Sequence, residues 1–85
     1  MTDDWEIVNG VFVQKTRMIL GNLDLSGRAD LVWFKKAYVQ GDVALKGCYN
    51  LQEIEDVRII GNLSTQDCPK LVWPFFNIMV AGDVF

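Results

Sequence analysis

The sequence contains no histidine, few charged residues and no long hydrophobic run. Histidine is the commonest general base in enzymes and the usual partner of a serine or cysteine nucleophile, so its absence argues against catalysis. The glycines are spaced along the chain rather than clustered, which excludes a glycine-rich phosphate loop. We therefore expect a protein that is not an enzyme and has no cofactor and no catalytic residues.

Charge of one sign is not concentrated in any segment. Eight lysine and arginine residues are spread along the chain and the net charge is −3, whereas a nucleic-acid-binding face is normally basic. The apolar stretch at residues 71–80 is interrupted by Pro74 and Asn77, and is shorter than the roughly 20 residues that span a bilayer. The acidic start of the chain lacks a signal-peptide pattern. We expect a cytoplasmic protein that binds neither nucleic acid nor membrane.

A repeat of 20 residues organises the chain. Four copies of one pattern, a glycine followed by Asn or Asp and then by Leu or Val, lie along it: Gly21-Asn22-Leu23, Gly41-Asp42-Val43, Gly61-Asn62-Leu63 and Gly82-Asp83-Val84. The last copy arrives one residue late, as though a residue were inserted near residues 75–78. A 20-residue unit cannot bury its own apolar face, so stacked units must turn each recurring position into a buried column.

The apolar alternation around each glycine predicts a strand with one buried face. Val39, Val43 and Leu45 alternate across Gly41 in this way, and the glycine suits a bulge or a sharp corner. Residues 31–37 and 51–57 are expected to form the return paths, each of which is too short for a helix with two loops. The predicted fold is mainly β: a short parallel β-solenoid of about three and a half rungs over residues 18–85.

Residues 1–17 are predicted to form an N-terminal β-hairpin cap on this single domain. Asn9-Gly10 stands between the apolar runs at residues 5–8 and 11–14. Asn-Gly is a strong hairpin signal, because both residues tolerate the positive φ of a type I′ turn. A degenerate repeat is the alternative, since Val8 and Val11 also fall on the 20-residue register.

The spacing Val43-x-Leu45-x-x-Cys48-x-x-Leu51-x-x-Ile54 resembles the cysteine-containing variety of leucine-rich repeat. Two positions depart from that pattern: Arg28 stands where a cysteine or asparagine is expected, and Thr65 replaces a core leucine. The resemblance implies a curved, leucine-rich-repeat-like solenoid that binds another protein and has no catalytic residues. Similar repeats are common in proteins of bacteriophages and their hosts. This implies a phage or mobile-element accessory protein that engages or inhibits a host protein in the host cytoplasm.

Aromatic residues beside charged ones suggest where such a partner would bind. Trp33 and Trp73 share a repeat column, with Glu53 in the rung between them. Two interpretations of the tryptophans are open, an interface or a cover over the core. The candidate protein interface consists of Trp33, Phe34, Lys35, Trp73, Phe75, Phe76, Val84 and Phe85.

The sequence stops at Phe85, within a predicted strand, and we expect an unpaired strand edge there. Such an edge favours a homodimer, or a structural assembly in which open edges join copies into dimers or filaments. A short, twisted edge that is simply solvated is the alternative.

Two further columns consist of polar residues and thiols. Asn22, Asp42, Asn62 and Asp83 follow the glycines, where turn chemistry and an amide ladder are favoured over a metal site. Cys48 and Cys68 occupy equivalent positions on adjacent rungs. Their Cα atoms are expected about 5 Å apart, which permits a disulfide, but two buried thiols are favoured. Two cysteines without histidine are too few for a structural zinc site.

Overall fold

The computed structural model describes residues 4–72 and 75–85, which form eight strands. No helix long and apolar enough to cross a membrane is found in that part of the chain. The strands are β1 (Trp5–Val8), β2 (Val11–Gln14), β3 (Leu23–Asp24), β4 (Trp33–Val39), β5 (Val43–Ala44), β6 (Glu53–Ile59), β7 (Leu63–Ser64) and β8 (Phe76–Val80). They stack as about three turns of a parallel β-solenoid, which confirms the predicted fold class.

Two sheets line the solenoid. One has five strands in the order β1-β2-β4-β6-β8, and the other has three in the order β3-β5-β7. We define four rungs: residues 18–22 with β3, β4 with β5, β6 with β7, and β8 with residues 81–85, which we call the last rung. Among the strands of the described residues, β1 pairs with β2 in antiparallel orientation and every other pair is parallel.

Paired residues of successive rungs are 20 positions apart in the sequence, and this spacing becomes 21 between β6 and β8. Trp33 pairs with Glu53, whereas Glu55 pairs with Phe76. The amide of Val72 still follows the shorter spacing, since it donates to the carbonyl of Gln52. The register is therefore one residue longer at Phe76 than at Val72. The predicted one-residue insertion is confirmed, and it precedes Phe76, at or before the start of the predicted range 75–78.

The division of each rung into strand and return path was wrong. The long strands β4 and β6 lie mainly in residues that were expected to form the return path, and the chain bends at Gly41 and Gly61. After each bend come a two-residue strand and two tight turns. Inward residues alternate on both sides of the bend, so periodicity runs through the corner without marking it.

One residue in each long strand has left-handed backbone geometry. Lys36, Asp56 and Asn77 have φ of 56°, 53° and 51°, and they occupy the same column. In β4, Lys35 before the left-handed residue faces outward, and so does Tyr38, two positions after it. The left-handed residue therefore adds one position to the inward-outward alternation of the strand, as a β-bulge does.

The N-terminal cap is a β-hairpin, as predicted. Trp5 pairs with Gln14 and Val8 with Val11, around a turn in which Asn9 and Gly10 have φ of 50° and 83°. The hairpin extends the large sheet through one parallel pair, Val11 with Trp33. That offset of 22 residues differs from the repeat, so the hairpin is not a degenerate copy.

The core fills the space between the two sheets and the turns. Phe12 of the hairpin lies edge-on to Phe34, with ring centroids 4.8 Å apart, and closes the first rung. Thr65 replaces a core leucine, and its hydroxyl donates to the carbonyl of Phe85 at 2.7 Å. The buried hydrophobic residues are Phe12, Ile19, Leu23, Leu25, Leu31, Phe34, Ala37, Val39, Val43, Leu45, Cys48, Leu51, Ile54, Val57, Ile59 and Leu63.

Candidate interaction surface

A ladder of side-chain oxygens joins the corners of successive rungs. Asn22 Oδ1 accepts a hydrogen bond from the backbone N–H of Asp42, Asp42 Oδ1 accepts from Asn62, and Asn62 Oδ1 accepts from Asp83, each at 2.8 Å. The predicted ladder therefore exists, but it runs from side chain to backbone rather than from amide to amide. Only an acceptor oxygen is required, so aspartate and asparagine are interchangeable here.

The glycine column makes room for this ladder. A Cβ atom added at Gly41 would lie 2.4 Å from Asn22 Oδ1 and 2.5 Å from the carbonyl of Gly21. A Cβ atom added at Gly61 or Gly82 would clash in the same way with the ladder oxygen of the preceding rung. These glycines are required by close approach between rungs. The ladder column thus has a structural purpose, and the described residues contain no group of three or more His, Cys, Asp or Glu placed to hold a metal ion.

The two cysteines are free thiols that form a second ladder. Cys48 Sγ donates to the carbonyl of Leu25 at 3.1 Å, and Cys68 Sγ donates to that of Leu45 at 3.0 Å. Burial raises the pKa of the Cys48 thiol, and the nearby Cys68 adds to this. The thiol is neutral at pH 7, as a buried structural cysteine is.

The N-terminal end of the solenoid is covered and carries charge. Trp5 stacks on Phe12, and the guanidinium of Arg28 lies 5.4 Å from the Trp5 ring centroid. Arg28 also donates to Asp30 at 2.8 Å, and hydrogen bonding by Arg28 lowers the pKa of the Asp30 carboxyl. On β1, Glu6 is exposed and forms an ion pair of 3.5 Å with Lys15.

The last rung leaves the core open. Phe75, Ile78 and Val80 are only partly buried, although they pack against the core cluster. Ile59, which pairs with Val80 and lies one rung earlier, is fully buried. Within the described part of the chain, no strand pairs with the outer side of β8. Both the apolar interior and the backbone edge of the solenoid are thus accessible at this end.

Two columns of outward-facing residues end in an apolar residue at the last rung. One column runs from Lys35 through Glu55 to Phe76, and the adjacent one from Tyr38 through Arg58 to Met79. Arg58 lies over the Tyr38 ring, 5.2 Å from its centroid. Phe76 is 75% exposed and Met79 is 61% exposed. Apolar side chains therefore follow charged ones at outward positions, which is unusual for a solvated surface.

The structure separates the eight candidate interface residues into groups. Trp33 and Lys35 are half-buried on β4, and Phe75 is half-buried against the core. Phe34 was wrongly assigned to the interface, because its side chain is fully buried beneath Phe12. Trp73 lies outside the described residues. Phe76, Val84 and Phe85 are exposed hydrophobic residues of the last rung.

Met79 was missed by sequence reasoning. Its position is equivalent to Tyr38 and Arg58, both of which face outward, so the repeat register contained the signal. We use the name terminal surface for the outer edge of β8 together with Phe76, Met79, Val84 and Phe85.

A small groove borders the terminal surface. It has a volume of about 80 Å³ and is lined by Glu53, Ile54, Glu55, Val72 and Phe76. Binding sites for small molecules usually enclose about 300 to 1,000 Å³. The groove is therefore too small for such a ligand.

No family profile matches the chain, and no match was found among the curated proteins or the solved structures.

Proposed function

We propose that this chain is a small, non-catalytic protein-binding module that contacts its partner through the terminal surface. The observation that carries the proposal is the exposure of Phe76 in a column that holds Lys35 and Glu55 in the two preceding rungs. A solvated rung would keep polar side chains there, whereas aromatic residues and methionine are enriched in protein interfaces.

The open backbone edge supports the same surface. Soluble proteins protect edge strands with charges, proline or a covering element, and β8 consists of Phe-Asn-Ile-Met-Val. An added strand would form hydrogen bonds with the free backbone groups, while Phe76 and Met79 supply apolar contact. The half-buried Trp33 and Lys35 lie two rungs away and belong to the margin of this interface.

The setting of the module forms part of the proposal. The leucine-rich-repeat resemblance supports a phage or mobile-element accessory protein that engages or inhibits a host protein in the host cytoplasm. The alternative is a structural protein in which open edges join copies into dimers or filaments. The unprotected edge of β8 favours this alternative, because it is available to another copy as well as to a foreign chain.

Affinity purification with matched variants tests the proposal. Phe76→Lys and Met79→Lys place a charge on the terminal surface, and Leu20→Lys is the control, because Leu20 is 71% exposed in the first rung. The tagged proteins are compared in a bacterial lysate that also contains an untagged copy of the chain. We expect a protein that is retained by the wild type and by Leu20→Lys and is lost with the two other variants. Equal retention by all four forms, or none by any, would contradict the proposal.

A further inference from the structure

We infer that the terminal surface binds a second copy of this chain, across a two-fold axis that places the two β8 strands side by side. The inference rests on the proposed function, since it names the partner of the same surface.

The stretch of the last rung that contains β8 is uncharged. Residues 71–82 contain no ionisable side chain, whereas the equivalent stretch 51–61 contains Glu53, Glu55, Asp56 and Arg58. A partner of opposite charge would find nothing to recognise on such a surface. Two identical, uncharged edges meet without like-charge repulsion, so the surface is complementary to itself.

The two ends of the solenoid differ in covering and in charge. The hairpin already covers the first rung, and Glu6, Lys15, Arg28 and Asp30 place charges around that end. Head-to-tail stacking would press the uncharged β8 edge against the charged β1 edge and remove those charges from water, which is costly. The pairing of like ends avoids this cost and gives a closed dimer rather than a filament.

A two-fold axis also fixes how the two copies are oriented. The two β8 strands run antiparallel across the axis, and the five-stranded sheets of the two copies join into one sheet of ten strands. Asp83 lies three residues beyond the end of β8. The antiparallel arrangement therefore places the two Asp83 carboxylates at opposite ends of the shared pair of strands, where they do not face each other.

The same contact would complete the core. Ile78 and Val80 are half-buried in the single chain, and the corresponding residues of the second copy would cover them from the open end. Phe76 and Met79 would lie along the junction. Burial of apolar surface drives such an association, and the paired strand edges fix its direction.

Sedimentation equilibrium of the purified full chain tests this inference. We expect the wild type and Leu20→Lys to have twice the monomer mass, and Phe76→Lys and Met79→Lys to weaken the dimer at least tenfold. Phe76 and Met79 are exposed, so both variants should fold, which circular dichroism checks. A wild type that remains monomeric at high concentration, variants that dimerise as well as the wild type, or a mass that rises beyond twofold would overturn the inference.

The two proposals fail in distinguishable ways. The pure protein could be monomeric while the wild type, but not Phe76→Lys, retains some other protein from the lysate. That result would exclude a second copy as the partner and would still support the terminal surface as a binding surface. If neither self-association nor a variant-sensitive partner is found, both proposals fail.

Discussion

At each corner of the solenoid, one side-chain oxygen accepts the backbone N–H of the next rung. This contact connects Asn22 to Asp42, Asp42 to Asn62 and Asn62 to Asp83 with the same geometry. The glycine of the next rung leaves the space that the oxygen fills. The repeat of glycine followed by Asn or Asp is thus explained by one hydrogen bond and one steric requirement.

Substitution of Asp42 tests this ladder. Asp42→Asn retains an acceptor oxygen, so its free energy of unfolding should remain within about 0.5 kcal/mol of the wild type. Asp42→Ala removes the acceptor of the Asn62 N–H and should cost about 1 kcal/mol. Urea denaturation measures both values. Equal destabilisation by Asn and Ala would show that the carboxylate charge matters, and not the acceptor oxygen.

The thiol ladder predicts a dependence on pH. Burial raises the pKa of Cys48 in the folded chain, so the stability associated with the neutral thiol is fully present below the ordinary thiol pKa. As the pH rises above about 9, the unfolded chain ionises first and this stability is lost. The stability of the wild type should fall across this range. Cys48→Ala should lose this part of the pH dependence, and an identical decline in the variant would contradict the assignment.

At the scale of elements, the hairpin cap stabilises the solenoid by covering its first rung. Phe12 is 2% exposed and contacts the rings of both Trp5 and Phe34. Val13, the next residue on the same strand, is 38% exposed and faces outward. One strand of the hairpin therefore offers a core position and a matched surface position.

Truncation of these two residues should have very different effects. Phe12→Ala should destabilise the fold by about 3–5 kcal/mol, the range observed when a buried aromatic side chain is removed. Val13→Ala should cost less than about 1 kcal/mol. Thermal unfolding of both variants measures the difference, and similar losses would mean that the hairpin is not a cap.

The sequence was sufficient to predict the elements whose signal is local or periodic. Asn9-Gly10 favours a type I′ turn because both residues tolerate positive φ, and the 20-residue repeat defines the buried columns. The corner at Gly41 was not predictable from alternation, because Val39 and Val43 face inward on both sides of it. The left-handed residue Lys36 also shifts the outward phase within β4. Lysine gives no signal for this geometry, although Asp56 and Asn77 in the same column are residue types that tolerate it.

The candidate interface was chosen by composition, and it stays a prediction except at Phe34, which the structure buries. Phe34 was included because it precedes two lysines, yet it shares a column with Ile54 and is buried like it. Met79 was omitted because no aromatic or charged neighbour marks it, although Arg58 in its column is exposed. The exposure of Phe76 depends on how the late insertion shifts the last rung, which sequence alone does not give.

At the scale of the whole molecule, the two ends of the solenoid differ. One end is closed by a hairpin and surrounded by charges, and the other exposes an uncharged edge and part of the core. Repeat proteins are stable in water when their terminal repeats are covered. We therefore propose that a second copy of the chain covers the terminal surface.

Amide hydrogen exchange in β8 tests this claim most directly. Alternate β8 amides point away from β6 and are paired only if another strand adds to the edge. In the purified protein, we predict that these amides are protected at high concentration and exchange faster on dilution, while amides of β4 do not change. Phe76→Lys should show the fast exchange at every concentration. Outward β8 amides that exchange at one rate at all concentrations, in the wild type and in the variant alike, would contradict the account.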